Sequence, residues 1–191
     1  MNIRRLQVQD IAAYWRLRLQ ALKQFPQSFG ASYEDAKDTP IVNIREKFSA
    51  ADDNFIVGAF TESGELIGMV GFRQETPRKM RHKGMVWGMY VEESCQGQGV
   101  GKRLLMELLQ SAHRVPGLER IHLYVVDTNL PAKRLYQSLG FRTYGLEIHA
   151  MKLDANTYVN EELMVYELER AGSARINDKE REDDDGISNL R

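Results

Sequence analysis

A glycine-rich segment near the middle of the chain has the residue types and spacing for binding a phosphate group. It consists of Gln96, Gly97, Gln98, Gly99, Val100, Gly101 and Lys102 and lies between a strand-like run at 85–92 and a helical run at 102–113. Glycine lets the backbone turn sharply without a Cβ in the way, and the first N–H groups of the following helix point unpaired into that turn. Such a turn binds phosphate oxygens well.

The spacing of the glycines decides between known kinds of phosphate loop. A Walker loop requires a glycine five residues before its Gly-Lys pair and a hydroxyl after it, but Gln96 and Arg103 occupy those places. A dinucleotide fingerprint requires a third glycine where Lys102 stands, near the start of a larger domain. The remaining pattern, Gln-x-x-Gly-x-Gly at Gln96, Gly99 and Gly101, resembles the pyrophosphate-binding motif of the GNAT acyltransferase superfamily. In that family the ligand is acetyl-CoA.

A second segment matches the same family independently. Asn129, Ala132 and Tyr136 have the spacing Asn-x-x-Ala-x-x-x-Tyr, and the pair Gly140 and Phe141 follows. A helix with an asparagine cap and a glycine stop is common by itself. Because this segment follows the glycine-rich one at the distance that the family shows, a chance match is improbable.

The order of the predicted elements also resembles the GNAT fold. Hydrophobic periodicity predicts β-α-α-β-β-β-α-β-α-β-β over residues 2–170. The resemblance implies an α/β (α+β) domain at 1–171, with a mixed, mostly antiparallel sheet of about seven strands, splayed between strands 4 and 5, and about four helices. The last strands are expected at 144–152 and 164–168, with a bulge or loop at 158–163. Residues 172–191 are highly charged without an apolar period, which predicts a disordered tail.

The resemblance implies where the coenzyme binds. Backbone groups on the fourth strand would pair with the pantetheine arm, and the amides of the glycine-rich segment would hold the pyrophosphate. For Lys133 a solvated lysine is an equally good interpretation, and Asn129 has the alternative role of a helix cap. The predicted coenzyme-binding residues are Met89, Tyr90, Val91, Gln96, Gly97, Gln98, Gly99, Val100, Gly101, Lys102, Asn129, Lys133 and Tyr136.

The reaction that the resemblance implies is direct acetyl transfer to an amine. The backbone N–H of Met89 is predicted to stabilise the oxyanion that develops on the thioester carbonyl. Tyr136 matches the general acid of the family, with packing against Phe141 as the alternative. Gly88 is a candidate for the bulge that opens the fourth strand, and easing the packing beneath Trp87 is an equally good interpretation.

The base that would deprotonate the acceptor is not evident from the sequence. An ammonium with a pKa of ~10.4 is rarely neutral at pH 7, a handicap of roughly 4 to 5 kcal/mol. Some relatives use a glutamate one residue before Val125, but this chain has Tyr124 there. A water chain would also serve. The fallback candidates, each also interpretable as an ordinary strand or surface residue, are Glu34, Glu92, His122 and His149. Phe29 and Glu34, after the first helix, are predicted to contact the acceptor, with a place in the core as the alternative for Phe29.

Composition limits the remaining function classes. The 191 residues, 42% of them hydrophobic, suffice for one domain with a substantial core. A net charge of −1 favours neither nucleic acid nor an anionic membrane. No run approaches the ~18 apolar residues of a membrane span. Without a signal-peptide core, and with Cys95 as the single cysteine, a cytoplasmic location is expected.

The sequence therefore predicts an acetyl-CoA-dependent N-acetyltransferase that acts on a primary amine, with acetyl-CoA as cosubstrate and no metal. The hairpin predicted at 144–164 favours a small-molecule acceptor by analogy, while a protein N-terminus or lysine stays open. A non-catalytic acyl-CoA sensor and an interaction module built on the same fold are the alternatives from other classes. A homodimer stays open, since no sequence feature defines its surface.

Overall fold

A computed structural model describes residues 1–45, 48 and 52–168. The strands in this part of the chain are β1 Asn2–Arg5, β2 Asn54–Phe60, β3 Leu66–Gln74, β4 Lys83–Val91, β5 Arg120–Val126, β6 Arg142–Lys152 and β7 Tyr158–Glu167. The α-helices are α1 Ile11–Gln24, α2 Tyr33–Ala36, α3 Ile41–Arg45, α4 Val100–Ala112 and α5 Leu130–Ser138. The predicted tail at 172–191 lies outside the described residues.

The strands form a single mixed sheet in the order β1-β2-β3-β4-β5-β7-β6. Every neighbouring pair is antiparallel except β4 and β5, which are parallel. The β4–β5 ladder pairs only Lys83, Gly84 and Met85 with residues 120–122. Beyond Met85 the two strands diverge, so the predicted fold and its opening between strands 4 and 5 are confirmed.

Two apolar clusters cover the two faces of the sheet. On one face, buried leucines of α4 pack with Tyr136 of α5 against the sheet. On the other, Tyr14 and Leu17 of α1 pack against Met69 and Tyr90. Burying each such side chain contributes about 1.5–3 kcal/mol, so the helices are held to the sheet by their apolar stripes. No described helix combines the length and apolar composition needed to cross a bilayer.

The structure corrects two details of the sequence-based assignment. The expected loop around Glu34 contains the short helix α2, which begins because the Ser32 hydroxyl accepts a hydrogen bond of 3.0 Å from the Asp35 N–H. The bulge or loop expected at 158–163 was wrong, since β7 is continuous there. The extra residues lie in β6 instead, where His149 has a φ of 57° and its N–H donates to the Asn160 side chain.

Candidate active site

A cavity of about 730 Å³ occupies the gap between β4 and β5. Residues 86–91 of β4 and 123–126 of β5 form its sides. The glycine-rich segment and α5 line one end, on the face that α4 covers. The other end is lined by four residues after α1, which are Phe25, Gln27, Ser28 and Phe29. The cavity therefore connects the two faces of the sheet. We call these its coenzyme end, at residues 96–102, and its acceptor end, at residues 25–29.

The coenzyme end consists mainly of backbone. Gly97 and Gly99 have φ values of 74° and 77°, and a Cβ added at either position would meet no atom within 4 Å. The first backbone hydrogen bond of α4 runs from the Arg103 N–H to the Gly99 carbonyl, 3.1 Å. The preceding N–H groups of the helix therefore have no partner within it, and they place the positive end of the helix dipole at the turn. This open turn has the donors and the space that a diphosphate requires.

Two contacts hold this turn against the end of β4. The Gln96 side-chain amide donates to the Val91 carbonyl at 2.9 Å, which ties the turn to the strand. Gly101 lets α4 approach β4 closely, because a Cβ there would lie 3.1 Å from the Met89 methyl carbon. Gln96 and Gly101 of the motif thus have structural roles of their own, in addition to the predicted binding of phosphate.

A β-bulge lies in β4 where it leaves β5. The register pairs Met69 with Tyr90 and Gly71 with Trp87, so Gly88 and Met89 together oppose a single residue of β3. Gly88 has a φ of 63°, which a residue with a Cβ adopts only with strain. The bulge that the sequence suggested at Gly88 is therefore present, and both it and Met89 line the cavity.

Tyr136 lies on α5 and lines the cavity. Its hydroxyl donates to the Met89 sulfur at 3.5 Å, and its ring packs 6.0 Å from that of Phe141. Burial raises the pKa of the Tyr136 phenol to about 12. The phenol is protonated at neutral pH, as a proton donor must be. Tyr136 also packs against Phe141, as the alternative interpretation of this residue predicted. Its catalytic role stays a prediction.

Two other predicted coenzyme residues have structural partners. The Asn129 side chain caps α5 by accepting from the Ala132 N–H at 3.2 Å, and it also lines the cavity. The Lys133 ammonium forms an ion pair with Glu162 of β7, both side chains being mostly buried, and donates to the Asp127 carbonyl at 3.1 Å. Lys133 does not line the cavity, and its partner Glu162 is too distant in sequence to have been anticipated.

Most of the predicted coenzyme residues are brought together by the fold. Gln98 is an exception besides Lys133, because its side chain donates to the Ser94 carbonyl at the surface. The predicted residues that line the cavity are Met89, Tyr90, Val91, Gln96, Gly97, Gly99, Val100, Gly101, Lys102, Asn129 and Tyr136.

At the acceptor end the two predicted residues separate. Phe29 lines the cavity, whereas the Glu34 carboxylate is exposed and pairs with Lys37 on its own short helix. Tyr124, in place of the glutamate of some relatives, is half-exposed at the cavity wall. No carboxylate or imidazole is found among the described residues that line the cavity.

The other candidate bases also lie apart from the cavity lining. The His122 Nδ1 is 3.3 Å from the Tyr144 hydroxyl, and burial lowers the pKa of this imidazole. His149 stacks on Tyr158 in the outer hairpin. Glu92 precedes the glycine-rich segment without facing the cavity. None of the four candidate bases therefore belongs to the described residues that line the cavity.

Sequence reasoning missed Arg18, which lies beside the acceptor end. Its guanidinium carbon is 4.7 Å from the centre of the Phe29 ring, and its Nη1 is buried without a hydrogen-bond partner in the described part of the chain. An unsatisfied buried donor costs about 1–3 kcal/mol. A local signal existed, because Arg18 follows Tyr14 by four residues and precedes Leu22 by four, which places it in the buried stripe of α1.

An open glycine turn at a helix N-terminus, beside a gap between parallel strands, defines a coenzyme-A-type acyltransferase site. The sequence profile of the Acetyltransferase (GNAT) family matches residues 16–141. The chain belongs to the GNAT acetyltransferase family and is an acetyltransferase, since the resemblance covers both motifs and most of the fold.

Two relatives have named activities. The spermine/spermidine N(1)-acetyltransferase of Bacillus subtilis (strain 168) is 35% identical over 116 residues, which cover 59% of this chain and 69% of that protein. The mycothiol acetyltransferase of Segniliparus rotundus is 32% identical over 111 residues, 56% of this chain and 42% of that protein. Their acceptors differ, so the names alone leave this chain's acceptor open.

Solved structures agree with the fold. A GNAT acetyltransferase from Streptococcus pneumoniae has a TM-score of 0.77 and 21% identity, covering 87% of this chain and 99% of that one. The structure of yncA from Salmonella typhimurium, solved with its cofactor acetyl-CoA, has a TM-score of 0.75 and 20% identity, covering 93% of this chain and 99% of that one. At such identities the likeness concerns the fold alone.

Proposed function

We propose that this acetyltransferase moves the acetyl group of acetyl-CoA directly to the primary amine of a small molecule. The observation that carries the proposal is the cavity that crosses the sheet at the β4–β5 gap. Its coenzyme end offers backbone donors and space, and its acceptor end is partly enclosed by aromatic side chains. Two reactants entering from opposite faces would meet at the bulge in β4. This geometry suits direct transfer, which requires no nucleophile from the protein.

The residues at the coenzyme end would hold and orient the coenzyme. The N–H groups at 97–102 and the charge of Lys102 would bind the diphosphate, while the unpaired edge of β4 at Met89, Tyr90 and Val91 would pair with the pantetheine arm. Acetyl-CoA supplies the activated acetyl group as a thioester. Glycines at 97 and 99 permit this approach because each added Cβ would occupy the open space of the turn.

The chemistry then proceeds at the bulge. The neutral amine nitrogen of the acceptor forms the new C–N bond at the thioester carbonyl, and the Met89 N–H donates to the oxygen as it becomes negative. The C–S bond breaks, and Tyr136 gives its proton to the departing thiolate, whose thiol has a pKa of ~8.5. Water accepts the proton from the attacking nitrogen and returns one to Tyr136, because the cavity lining has no carboxylate or imidazole.

Binding and turnover test the proposal separately. Calorimetric titration with acetyl-CoA should give micromolar affinity, which corresponds to about −8 kcal/mol. A panel of primary amines should then release free thiol and yield acetylated product detectable by mass. Protein that binds the coenzyme but releases no thiol with any amine would be a sensor, and protein that does not bind it would use the fold as a scaffold.

A further inference from the structure

Arg18 is a partly buried cation that has no ion-pair partner among the described residues. It belongs to the apolar stripe of α1, and its guanidinium lies over the ring of Phe29. No carboxylate of the described residues forms an ion pair with it, and its Nη1 has neither solvent contact nor a hydrogen-bond partner. Burial lowers the pKa of Arg18, but a guanidinium keeps its proton in proteins, so the positive charge remains.

The Arg18 guanidinium does not itself line the cavity, but it lies against two residues that do, Phe29 and Gly88. Its Nη1 lies 3.4 Å from the point that a Cβ on Gly88 would occupy, so Arg18 lies beside the bulge in β4. Phe29, Trp87 and Gly88 all line the cavity. The indole Nε1 of Trp87, in the same apolar cluster, is likewise buried without a partner among the described residues. Both unsatisfied groups are donors.

Unsatisfied donors with a positive charge select a particular kind of ligand. A carboxylate only accepts hydrogen bonds, and an arginine fork binds its two oxygens well. A polyamine would instead bring further positive charge next to a cation that is already partly shielded from water. Gly88 is adjacent to Met89, whose N–H marks the reacting carbonyl, so the anionic group and the reacting amine would lie a few bonds apart. An amino acid has this spacing.

We propose that Arg18, with the indole N–H of Trp87, binds the carboxylate of the acceptor, and that the acceptors are amino acids rather than polyamines. This inference rests on the proposed acetyl transfer to a small amine. It assigns the substrate class from the acceptor end of the site, which neither family motif includes.

Matched acceptors test the proposal on the unmodified protein. We would measure kcat/KM for a panel of L-amino acids, for the carboxamide of each, and for spermidine. The best amino acid should exceed its own carboxamide at least tenfold, although the less basic amine of the carboxamide is more often neutral. If spermidine or the carboxamides are acetylated and carboxylates are not preferred, the role of Arg18 would be overturned while the proposed acetyl transfer would stand. The absence of turnover with every amine would overturn the proposed function itself.

A pair of variants on α1 then tests the residue. Arg18→Met should lower the preference for the acid over its carboxamide at least tenfold, mainly through the KM of the acid. Arg16→Met is the matched control, because Arg16 is exposed two residues away and lies 3.8 Å from Glu65. This control should keep the wild-type preference. An Arg18→Met protein that retains both acetyl-CoA affinity and the preference would overturn the proposal.

A spectroscopic measurement covers the case in which Arg18→Met does not fold. The chain has two tryptophans, Trp15 and Trp87, so their indole N–H signals can be assigned with a Trp15→Phe variant. Saturating amino acid in the presence of coenzyme A should shift the Trp87 signal downfield, and the carboxamide should not. Equal shifts with the two compounds would contradict carboxylate binding at this place.

Discussion

The two ends of the cavity are built in different ways. The coenzyme end uses backbone groups from a contiguous stretch at 96–102, while the acceptor end combines side chains of β4 and of the segment that follows α1. Backbone sites require glycine where the chain turns, and this requirement leaves a pattern in the sequence. A site assembled from distant side chains leaves no such pattern. The difference explains why the class of enzyme was predictable before its acceptor was.

The largest expected effect would come from closing the coenzyme end. Gly99→Val should weaken acetyl-CoA binding by at least about 100-fold in calorimetry, because the side chain would fill the space reserved for the diphosphate. Gly117→Val is the matched control, since Gly117 has a φ of 75° with no atom near an added Cβ and does not line the cavity. Both variants carry similar backbone strain, so a similar loss of affinity would refute the assignment of the turn.

The next effect concerns the point where the two ends meet. Tyr136→Phe should reduce kcat by about 100-fold, because the proton donor is lost, and should leave acetyl-CoA affinity within about threefold. Tyr166→Phe controls for packing, since Tyr166 also contacts Phe141, at 5.5 Å, but does not line the cavity. Equal rates in the Tyr136 variant and the wild type would remove this phenol from the mechanism.

The pH dependence of stability tests the burial of the same phenol. With a pKa of about 12 in the folded protein and about 10 when unfolded, its neutral form stabilises the fold fully below pH 10. This contribution is lost as pH rises towards 12, by up to about 2–3 kcal/mol. Urea unfolding at pH 9 and pH 11 should therefore show a smaller decline for Tyr136→Phe than for the wild type. Parallel declines would indicate that the phenol is accessible to water.

The smallest effects should separate two lysines near the coenzyme end. Lys102→Met should weaken acetyl-CoA binding about five- to tenfold, since a charge beside the diphosphate is lost. The affinity of this variant should also depend less on salt concentration than that of the wild type. Lys133→Met should leave the affinity unchanged and lower the free energy of unfolding by about 1 kcal/mol, because Glu162 would lose its partner. Weaker acetyl-CoA binding in the Lys133 variant would support the predicted contact of Lys133 with the coenzyme.

The misplaced irregularity in the last hairpin has a physical origin. Sequence reasoning placed the irregularity of the last hairpin in β7 at 158–163, whereas strand pairing places it in β6. Hydrogen bonds between the two strands decide which strand holds the extra residues, and the sequence of one strand does not specify its register with the other. The predicted contact of Glu34 with the acceptor stays a prediction, and in the structure its exposed carboxylate pairs with Lys37.

The family, the element order and the coenzyme turn follow from the sequence alone, because glycine positions and apolar periods are local properties of the chain. The tertiary structure decided which side chains line the acceptor end and placed the Arg18 guanidinium beside Gly88, without an ion-pair partner in the part of the chain that the structure describes. Burial and charge pairing depend on neighbours that are far apart in sequence and meet only when α1 packs on the sheet.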